Sequence, residues 1–265
     1  ALLGNLNTST KTALVTGAAS GLGYELALLL ADDGYDLILV DIDKENLDKA
    51  KLIIAKDYPS NIKLIEKDLS TPNAAKELFD EIGNTAIEVL INNAGFGVYG
   101  SFSKTDWERE SDMLNLHIIT TTHLTKLVLK GMLERGSGKI LNMSSLAAFQ
   151  PGPMMSLYYA SKSYILSFSE AIANELIGTG VTVTALCPGQ TDTSFQEVVS
   201  EGNCPENKIS FNMGCADEVA KYGYKAMQRG KTVAVPGTFN KFLSKLPRFV
   251  SRKTATAVIR RIQDK

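Results

Sequence analysis

The sequence predicts an α/β protein whose doubly wound, seven-stranded parallel sheet carries helices on both faces. Three observations lead to this prediction: seven short apolar runs, helical periodicity between them, and a glycine-rich turn directly after the first run. Strands that alternate with helices form a parallel sheet with both faces covered, and the crossovers are expected to be right-handed. The length of 265 residues fits one large domain.

The predicted strands are short runs rich in aliphatic residues, and the predicted helices lie between them with apolar residues at helical spacing. The strands are Ala13–Val15, Asp36–Asp41, Ile62–Ile65, Ile87–Ile91, Gly138–Met143, Val181–Leu186 and Thr232–Val235. The helices are Leu22–Ala31, Lys44–Lys56, one that starts at Thr71-Pro72, Asn115–Glu134 and Ser156–Ile177. We therefore expect one domain over residues 1–265, with an irregular segment at 190–214 and a basic extension at 239–265.

Composition and charge exclude several classes of protein. The net charge of −1 and pI of about 6.2 create no field that would attract nucleic acid. Cys187, Cys204 and Cys215 lack metal spacing, so we expect neither a zinc site nor a disulfide framework. His117 and His123 are not at ligand spacing, and we expect them on a packing or solvated helix face. A polar start and no apolar stretch of about 18 residues predict a cytoplasmic protein.

A glycine-rich turn, Thr16-Gly17-Ala18-Ala19-Ser20-Gly21-Leu22-Gly23, follows the first strand and begins the first helix. Gly17 can take a tight turn, and Gly21 lets the backbone approach a pyrophosphate that the helix N-terminus would bind. Gly23 allows that helix to pack closely on the sheet. The alternative is a tight loop without a ligand. The context of strand, turn and helix favours a dinucleotide site of the Rossmann fold, including Ser20 and Leu22.

An acidic residue at the end of the second strand points to the cofactor. Asp41 lies eighteen positions after Gly23, where a carboxylate can bind both ribose hydroxyls of an adenosine and would repel a 2′-phosphate. Ile42 follows at a position where an arginine could bind that phosphate. The alternative is that Asp41 or Asp43 caps the next helix. We therefore expect NAD rather than NADP.

The next strand ends continue the same edge of the sheet, which in a parallel sheet forms the ligand crevice. Asp68 and Leu69 follow the third strand, and Asn93-Ala94-Gly95 follows the fourth. We expect Asp68 at the adenine edge and Asn93, Ala94 and Gly95 along the adenine ribose. Either group could instead form a plain turn.

Three polar residues after the fifth strand form a candidate catalytic set. Ser145 ends that strand, and Tyr158 and Lys162 are four residues apart, which places them on one helix face. A lysine ammonium and an oxidised nicotinamide would both lower the phenol pKa from about 10, toward the range useful for acid–base catalysis. Ser145 would bind the substrate oxygen. The alternative is a solvated surface helix, since a lone Tyr-x-x-x-Lys is common.

These residues together resemble the short-chain dehydrogenase/reductase family from Lys11 to Val235. The glycine loop, Asn92-Asn93-Ala94-Gly95 and the Ser, Tyr and Lys above are similar to its motifs. The resemblance selects Tyr158 over Tyr159 and implies that Asn115 holds a water that links the lysine to solvent. It also implies contacts to the nicotinamide carboxamide from one further motif, which consists of Pro188, Gly189, Thr191 and Thr193.

The resemblance implies an NAD(P)-dependent oxidoreductase that interconverts an alcohol and a carbonyl. The segment 93–100 and the basic tail resemble a subgroup of mostly bacterial reductases of unassigned substrate, many of which are arginine-rich where this chain has Asp41-Ile42-Asp43. That departure supports NAD. The alternative from another class is an NAD-binding sensor or interaction protein without turnover, although pure binding does not need an acid–base tyrosine. A hydrolase is not expected, because no Gly-x-Ser-x-Gly is present.

Substrate and partners follow from the remaining segments. The resemblance makes 190–214 the substrate loop, and its apolar residues, with Phe96, Tyr99, Phe149 and Met154-Met155, predict a mostly apolar carbonyl or alcohol. It also implies a homodimer or homotetramer formed through Asn115–Glu134 and Ser156–Ile177. The tail 239–265 has seven basic residues before Asp264. It is either a solvated helix face or a peripheral membrane or oligomer contact.

Overall fold

A seven-stranded parallel sheet in the order β3-β2-β1-β4-β5-β6-β9 forms the centre of the protein. The structure is a computed structural model that describes residues 11–189, 191–192 and 214–263. The strands are β1 Thr12–Thr16, β2 Asp36–Asp41, β3 Ile62–Glu66, β4 Ile87–Asn92, β5 Gly138–Met143, β6 Val181–Leu186, β7 Thr191–Asp192, β8 Gly214–Cys215 and β9 Val233–Ala234. All neighbouring pairs in the large sheet are parallel. The predicted fold class is confirmed.

Helices cover both faces of this sheet. They are α1 Gly21–Asp32, α2 Lys44–Asp57, α3 Ala74–Ile82, α4 Trp107–Leu114, α5 Thr121–Arg135, α6 Ser156–Glu175, α7 Ala216–Gln228, α8 Thr238–Lys245 and α9 Arg252–Gln263. One apolar core lies under α1 and α7, around Leu26, Leu30 and Met227. A second lies under α3 and α5, around Leu78 and Leu124. The two cores fix the sheet as the middle of three layers.

The strand order reverses between β1 and β4, which are neighbours in the sheet. In open parallel sheets the ligand crevice lies outside the carboxyl ends of the strands at such a reversal. The glycine loop follows β1 and Asn93 follows β4. The fold therefore brings these two segments to the expected crevice.

A buried amide pair joins the two central strands to the helices above them. Asn92 on β4 donates from Nδ2 to Oδ1 of Asn142 on β5 at 2.8 Å and to Thr125 Oγ1 at 3.0 Å. Asn142 donates in turn to Ser169 Oγ at 2.9 Å. Because every one of these polar atoms is buried, the pairing avoids the cost of unmatched groups. The network positions α5 and α6 over the sheet.

Several element boundaries differ from the sequence prediction. The third helix begins at Ala74 rather than at Thr71-Pro72, because Asn73 adopts a left-handed conformation with φ of 64° before the first turn. The region predicted as one helix from Asn115 begins at Trp107, where Asp106 accepts a hydrogen bond from the Arg109 amide as N-cap. A π-helical segment, Asn115–Thr120, joins α4 to α5.

Other features were not predicted at all. The strands β7 and β8 form a small parallel pair at the two ends of the segment predicted to be irregular. Cys215 is disulfide-bonded, although the sequence predicts no disulfide framework, and Cys187 is free and buried. Within the described residues, no helix is long and apolar enough to cross a membrane.

Candidate active site

Three glycines shape the turn between β1 and α1. Gly17 and Gly21 have positive φ angles of 65° and 54°, which favour glycine. A Cβ on Gly23 would lie 2.0 Å from the Gly17 carbonyl oxygen. Asn93 holds the turn from the other side, because its Nδ2 donates to the carbonyl oxygens of Thr16 and Gly17 at 3.1 and 3.0 Å. The packing leaves no room for larger residues, as the glycine motif predicts.

The beginning of α1 fits the phosphates of a dinucleotide. Ser20 is the N-cap, and its side chain makes no capping hydrogen bond. The first N–H groups of a helix have no acceptor within the helix and carry a partial positive charge. Leu22 is buried and anchors this turn in the core. The backbone from Gly21 therefore presents donors to the crevice, which is the chemistry that a pyrophosphate needs.

Asp41 lies against the glycine turn. Its Oδ2 accepts a hydrogen bond from the Ala19 amide at 2.9 Å, and its Oδ1 accepts one from the Asp43 amide at 3.1 Å. The N-cap of α2 is Asp43, which accepts from the Asn46 amide, so Asp41 does not have that role. Among the described residues, no ion pair joins a lysine or arginine to Asp41. Each carboxylate oxygen accepts one of these hydrogen bonds and has a further lone pair for a ligand in the crevice.

Asp68 and Leu69 form the corner after β3. Asp68 is exposed, and its Oδ1 accepts from the amide and the hydroxyl of Ser70 at 2.9 and 2.7 Å. The Leu69 carbonyl accepts from Thr120 Oγ1 at 2.8 Å. This geometry matches the turn alternative for Asp68, and it leaves the second carboxylate oxygen available at the sheet edge.

Ser145, Tyr158 and Lys162 are brought together at the end of β5. Ser145 follows β5 on extended backbone, and its side chain lies close enough to the Tyr158 phenol to lower the pKa of that group. Lys162 is buried one helical turn further along α6, with Nζ 5.6 Å from the centre of the Tyr158 ring. Its Nζ donates to the Met143 carbonyl at 3.0 Å. The neighbouring Ser144 has a structural bond instead, from its Oγ to the Lys162 carbonyl.

Burial dominates the electrostatics of this set. It raises the pKa of Tyr158 above its ordinary value, which the hydrogen bond from Ser145 partly offsets and the nearby Tyr159 increases. Burial also lowers the pKa of Lys162 to about 8. The sequence predicts that the Lys162 ammonium lowers the pKa of Tyr158. In the protein without cofactor, the shift of the Tyr158 pKa comes from burial, Ser145 and Tyr159 instead. At neutral pH the ammonium form of Lys162 predominates, since the pH is below its pKa.

Tyr159 points away from this set. Its hydroxyl accepts a hydrogen bond from Gln263 Nε2 at 3.1 Å, at the end of α9. A Cβ on Gly152 would lie 2.3 Å from its ring, so the ring packs against that glycine. Tyr158 is therefore the one of the two tyrosines that contacts Ser145.

His117 is a neighbour of the set that the sequence did not identify. It is buried, in agreement with the expectation of a packing face. Its ring lies 5.9 Å from the Tyr158 ring, which places it beside the candidate catalytic set. Its Nδ1 is 2.9 Å from Ser161 Oγ. Burial and the Lys162 charge lower the pKa of His117 to about 2, so the imidazole is neutral. The π-helical segment, which no simple periodicity reveals, turns this residue toward the site.

Further residues were expected at the nicotinamide end, and most of them lie within the described part of the chain. Asn115 is half-buried and begins the π-helical segment. Pro188 follows β6, and its carbonyl accepts from the Leu146 amide at 2.8 Å, which ties it to the loop of Ser145. Thr191 lies in β7. Thr193 and the apolar residues expected in the substrate loop lie outside the described residues.

The apolar residues expected near the substrate divide into two groups. A Cβ on Gly97 would lie 3.1 Å from Met155 Cε and 3.6 Å from Tyr158 Cδ2, so Met155 lies beside the phenol. Phe149 packs instead with a small core cluster around Leu166 and Cys187. Met155 therefore provides an apolar surface beside Tyr158.

A family profile described as short chain dehydrogenase matches residues 11–203. The chain belongs to the short-chain dehydrogenase/reductase family. It is an NAD(P)-dependent oxidoreductase, as the resemblance predicts. Over 198 residues it is 31% identical to ketoacyl reductase HetN of Nostoc sp., which covers 74% of this chain and 69% of that protein. Over 231 residues it is 34% identical to hydroxysteroid dehydrogenase-like protein 1 of Gallus gallus, with coverages of 85% and 67%.

Solved structures of this family share the fold over most of the chain. A bulky-bulky ketone specific alcohol dehydrogenase from Comamonas testosteroni is similar with a TM-score of 0.78 and 27% identity, over 91% of this chain and 92% of that chain. A short-chain dehydrogenase from Sphingobium yanoikuyae in complex with NADPH gives a TM-score of 0.76 at 27% identity, over 91% and 96% of the two chains.

Proposed function

We propose that this short-chain dehydrogenase/reductase interconverts an alcohol and a carbonyl with Ser145, Tyr158 and Lys162 as its acid–base set. The observation that carries the proposal is the contact of the Tyr158 phenol with Ser145, above the buried Lys162 ammonium. A hydroxyl donor, a proton donor and a fixed positive charge are the groups that a reacting carbonyl oxygen needs.

Each residue has a separate task in the reduction. Ser145 donates a hydrogen bond to the substrate oxygen, and Tyr158 gives that oxygen a proton. Lys162 stabilises the phenolate that remains and binds the nicotinamide ribose, while Asn115 supports the return of the proton from solvent. The nicotinamide, when bound, supplies the hydride to the carbonyl carbon. In oxidation, Tyr158 accepts the proton instead.

NAD is the proposed cofactor. The dinucleotide would extend from the glycine turn (Gly17, Ser20, Gly21, Leu22, Gly23) past Asp41, Asp68, Leu69 and Asn93–Gly95 to Tyr158, Lys162, Pro188, Gly189, Thr191 and Thr193. Asp41 supports NAD, because its carboxylate can accept from ribose hydroxyls and would repel a 2′-phosphate.

The proposed substrate is a mostly apolar carbonyl or alcohol. Support comes from Met155 beside Tyr158, and from the similarity to an enzyme described as specific for bulky-bulky ketones. We further propose a single domain over 1–265 in which 190–214 is the substrate loop and 239–265 an extension. Pairing into a homodimer or homotetramer would use α5 and α6.

Exchange of either tyrosine for phenylalanine tests the acid–base assignment. We expect Tyr158→Phe to lose at least ~99% of kcat, in line with the usual contribution of general acid–base catalysis. Tyr159→Phe is the matched control, since it removes a neighbouring hydroxyl that binds Gln263 rather than Ser145. Initial rates with NADH and a panel of apolar ketones are the measurement. Near wild-type kcat in Tyr158→Phe, or equal losses in both variants, would contradict the proposal.

A further inference from the structure

A buried acceptor without a partner lies beside the proposed catalytic set. The side chain of His117 is 1% exposed, and its Nε2 has no hydrogen-bond partner. Buried polar groups without partners are rare in native proteins and call for an explanation such as a water or a functional contact. The two elements that surround the imidazole suggest which explanation applies.

The hydrogen bonds around Ser161 fix the tautomer of His117. Ser161 donates its single hydroxyl proton to the Tyr158 carbonyl at 2.8 Å. The 2.9 Å contact between Ser161 Oγ and His117 Nδ1 therefore needs the proton on Nδ1. In the neutral imidazole, Nε2 then has a lone pair and accepts but does not donate.

That lone pair and the Lys162 ammonium face the same space. A Cβ at position 95 would lie 2.7 Å from His117 Nε2 and 3.5 Å from Lys162 Nζ. Both nitrogens therefore border the space beside Gly95, and a bridging water is the usual link between polar groups that are too far apart for a direct hydrogen bond. Glycine at position 95 keeps this space open. An ammonium has three donors, and among the described residues only the Met143 carbonyl accepts from Lys162.

We propose that His117 is a positioning residue for Lys162, through one buried water that accepts from the ammonium and donates to Nε2. This water, which His117 would bind, is distinct from the water that the family resemblance associates with Asn115. The Met143 carbonyl and this water then take two of the three ammonium donors. The catalytic consequence rests on the proposed function, whereas the tautomer and the water do not.

Loss of the acceptor would act on Tyr158 through Lys162. The titratable groups around this space are Tyr158 and Lys162 on α6 and Cys187 after β6, whose pKa burial raises to about 12, so that the thiol is neutral. Arg109 on α4 lies over the Phe96 ring. With the water gone, burial lowers the pKa of Lys162 further, so less of the lysine is charged at neutral pH and the phenolate of the cofactor complex is stabilised less. The apparent pKa for alcohol oxidation therefore rises.

Two amide substitutions distinguish the roles of the two His117 nitrogens. His117→Gln keeps an acceptor near the Nε2 position, whereas His117→Asn keeps a donor near Nδ1 and loses the distant acceptor. We expect His117→Asn to lower kcat at pH 7 about tenfold and to raise the apparent pKa by about one unit. His117→Gln should lie closer to wild type in both, with NADH affinity unchanged in either variant. Reversed effects would show that the bond to Ser161 matters and the Nε2 acceptor does not, and equal effects would show that the acceptor has no separate role; either result would overturn the proposal.

A spectroscopic test does not depend on turnover. The chain has two histidines, so 15N-histidine labelling gives two imidazoles, and His117→Gln assigns them. We expect His117 to be a neutral Nδ1–H tautomer at pH 5 to 8, and a crystal structure of the wild type to contain a water within hydrogen-bond distance of both Nε2 and Nζ. An Nε2–H tautomer, or an empty space, would overturn the inference. If the tautomer and the water are found but no carbonyl is reduced, the proposed function fails and the water bridge stands.

Discussion

Tyr158 and Tyr159 are adjacent on α6, but their side chains have different partners. Tyr158 contacts Ser145 and Met155, while Tyr159 binds Gln263 and packs on Gly152. The spacing to Lys162 does not by itself separate the two tyrosines, and it is the family resemblance that selects Tyr158. The environment of the phenol does not follow from the sequence, because its pKa depends on burial that only the packed site creates.

Asp41 is the residue on which the cofactor preference depends. We expect the wild type to bind NADH more tightly than NADPH, and Asp41→Asn to lose about tenfold or more in NADH affinity and most of that preference. A hydrogen bond to a charged group is worth about 1.5–3 kcal/mol, and the charge that repels a 2′-phosphate is removed. Fluorescence titration of both reduced cofactors measures this ratio.

The control for Asp41→Asn is Asp43→Asn. Asp43 caps α2, and asparagine caps helices about as well as aspartate, so neither stability nor cofactor choice should change. Tighter binding of NADPH than of NADH by the wild type would contradict the role assigned to Asp41.

His117 marks the limit of prediction from single residues. Its spacing excludes a metal pair, and its burial agrees with one of the two expectations. The contact with Ser161 and the approach to Lys162 arise because a π-helical segment rotates the chain after Asn115. Such segments are frequent at functional sites, but the spacing of hydrophobic residues in a sequence does not reveal them.

Among the elements, the strands were predicted best and the helix starts least well. Each strand of the large sheet was predicted within about a residue at either end, because buried parallel strands are continuous apolar runs. The starts of α3 and α4 depend on single capping residues, Asn73 and Asp106. The small pair β7 and β8 has no sequence signal, since each strand is two residues long.

The tail from α8 to α9, with the segment between these helices, combines basic residues with exposed apolar side chains. Phe242, Phe249 and Ile262 are 61%, 82% and 63% exposed, while the end of α9 binds Tyr99 through the Gln263 carbonyl. One end of the tail is therefore attached near the site, and its outer surface is unusually apolar. The peripheral membrane contact that the sequence offered as one interpretation of this tail stays a prediction, which exposed apolar side chains among basic residues make testable.

Vesicle co-sedimentation tests this contact. We expect the protein to sediment with vesicles that contain phosphatidylserine, and to bind pure phosphatidylcholine more weakly. A Phe242→Ser and Phe249→Ser double variant should lose at least about tenfold in binding, because each buried Phe contributes about 1.5–3 kcal/mol.

Leu52→Ser serves as the control for the double variant, since Leu52 is also highly exposed but lies on α2. It should bind as the wild type does. Absence of wild-type binding to either vesicle would leave the tail as a solvated face or an oligomer contact.

The molecule as a whole is organised by the reversal of strand order between β1 and β4. The turn after β1 and the residues after β4 interlock through Asn93, and the proposed acid–base set follows β5, the next strand. This arrangement follows from the alternation of strands and helices, so the sequence predicts the crevice and the order of motifs along it. It does not predict the parts of the site that depend on residues 193–213, where the substrate loop is proposed.

In the proposed reaction, hydride passes between the nicotinamide and a substrate carbon beside Tyr158. The most direct measurement uses NADH deuterated at both C4 positions, a panel of apolar ketones, and mass spectrometry of the alcohols formed. We expect one deuterium on the carbinol carbon of at least one product with the wild type and with Tyr159→Phe, and at least ~99% less with Tyr158→Phe. Saturable NADH binding with no deuterium in any product would contradict the account and identify a protein that binds the cofactor without turnover.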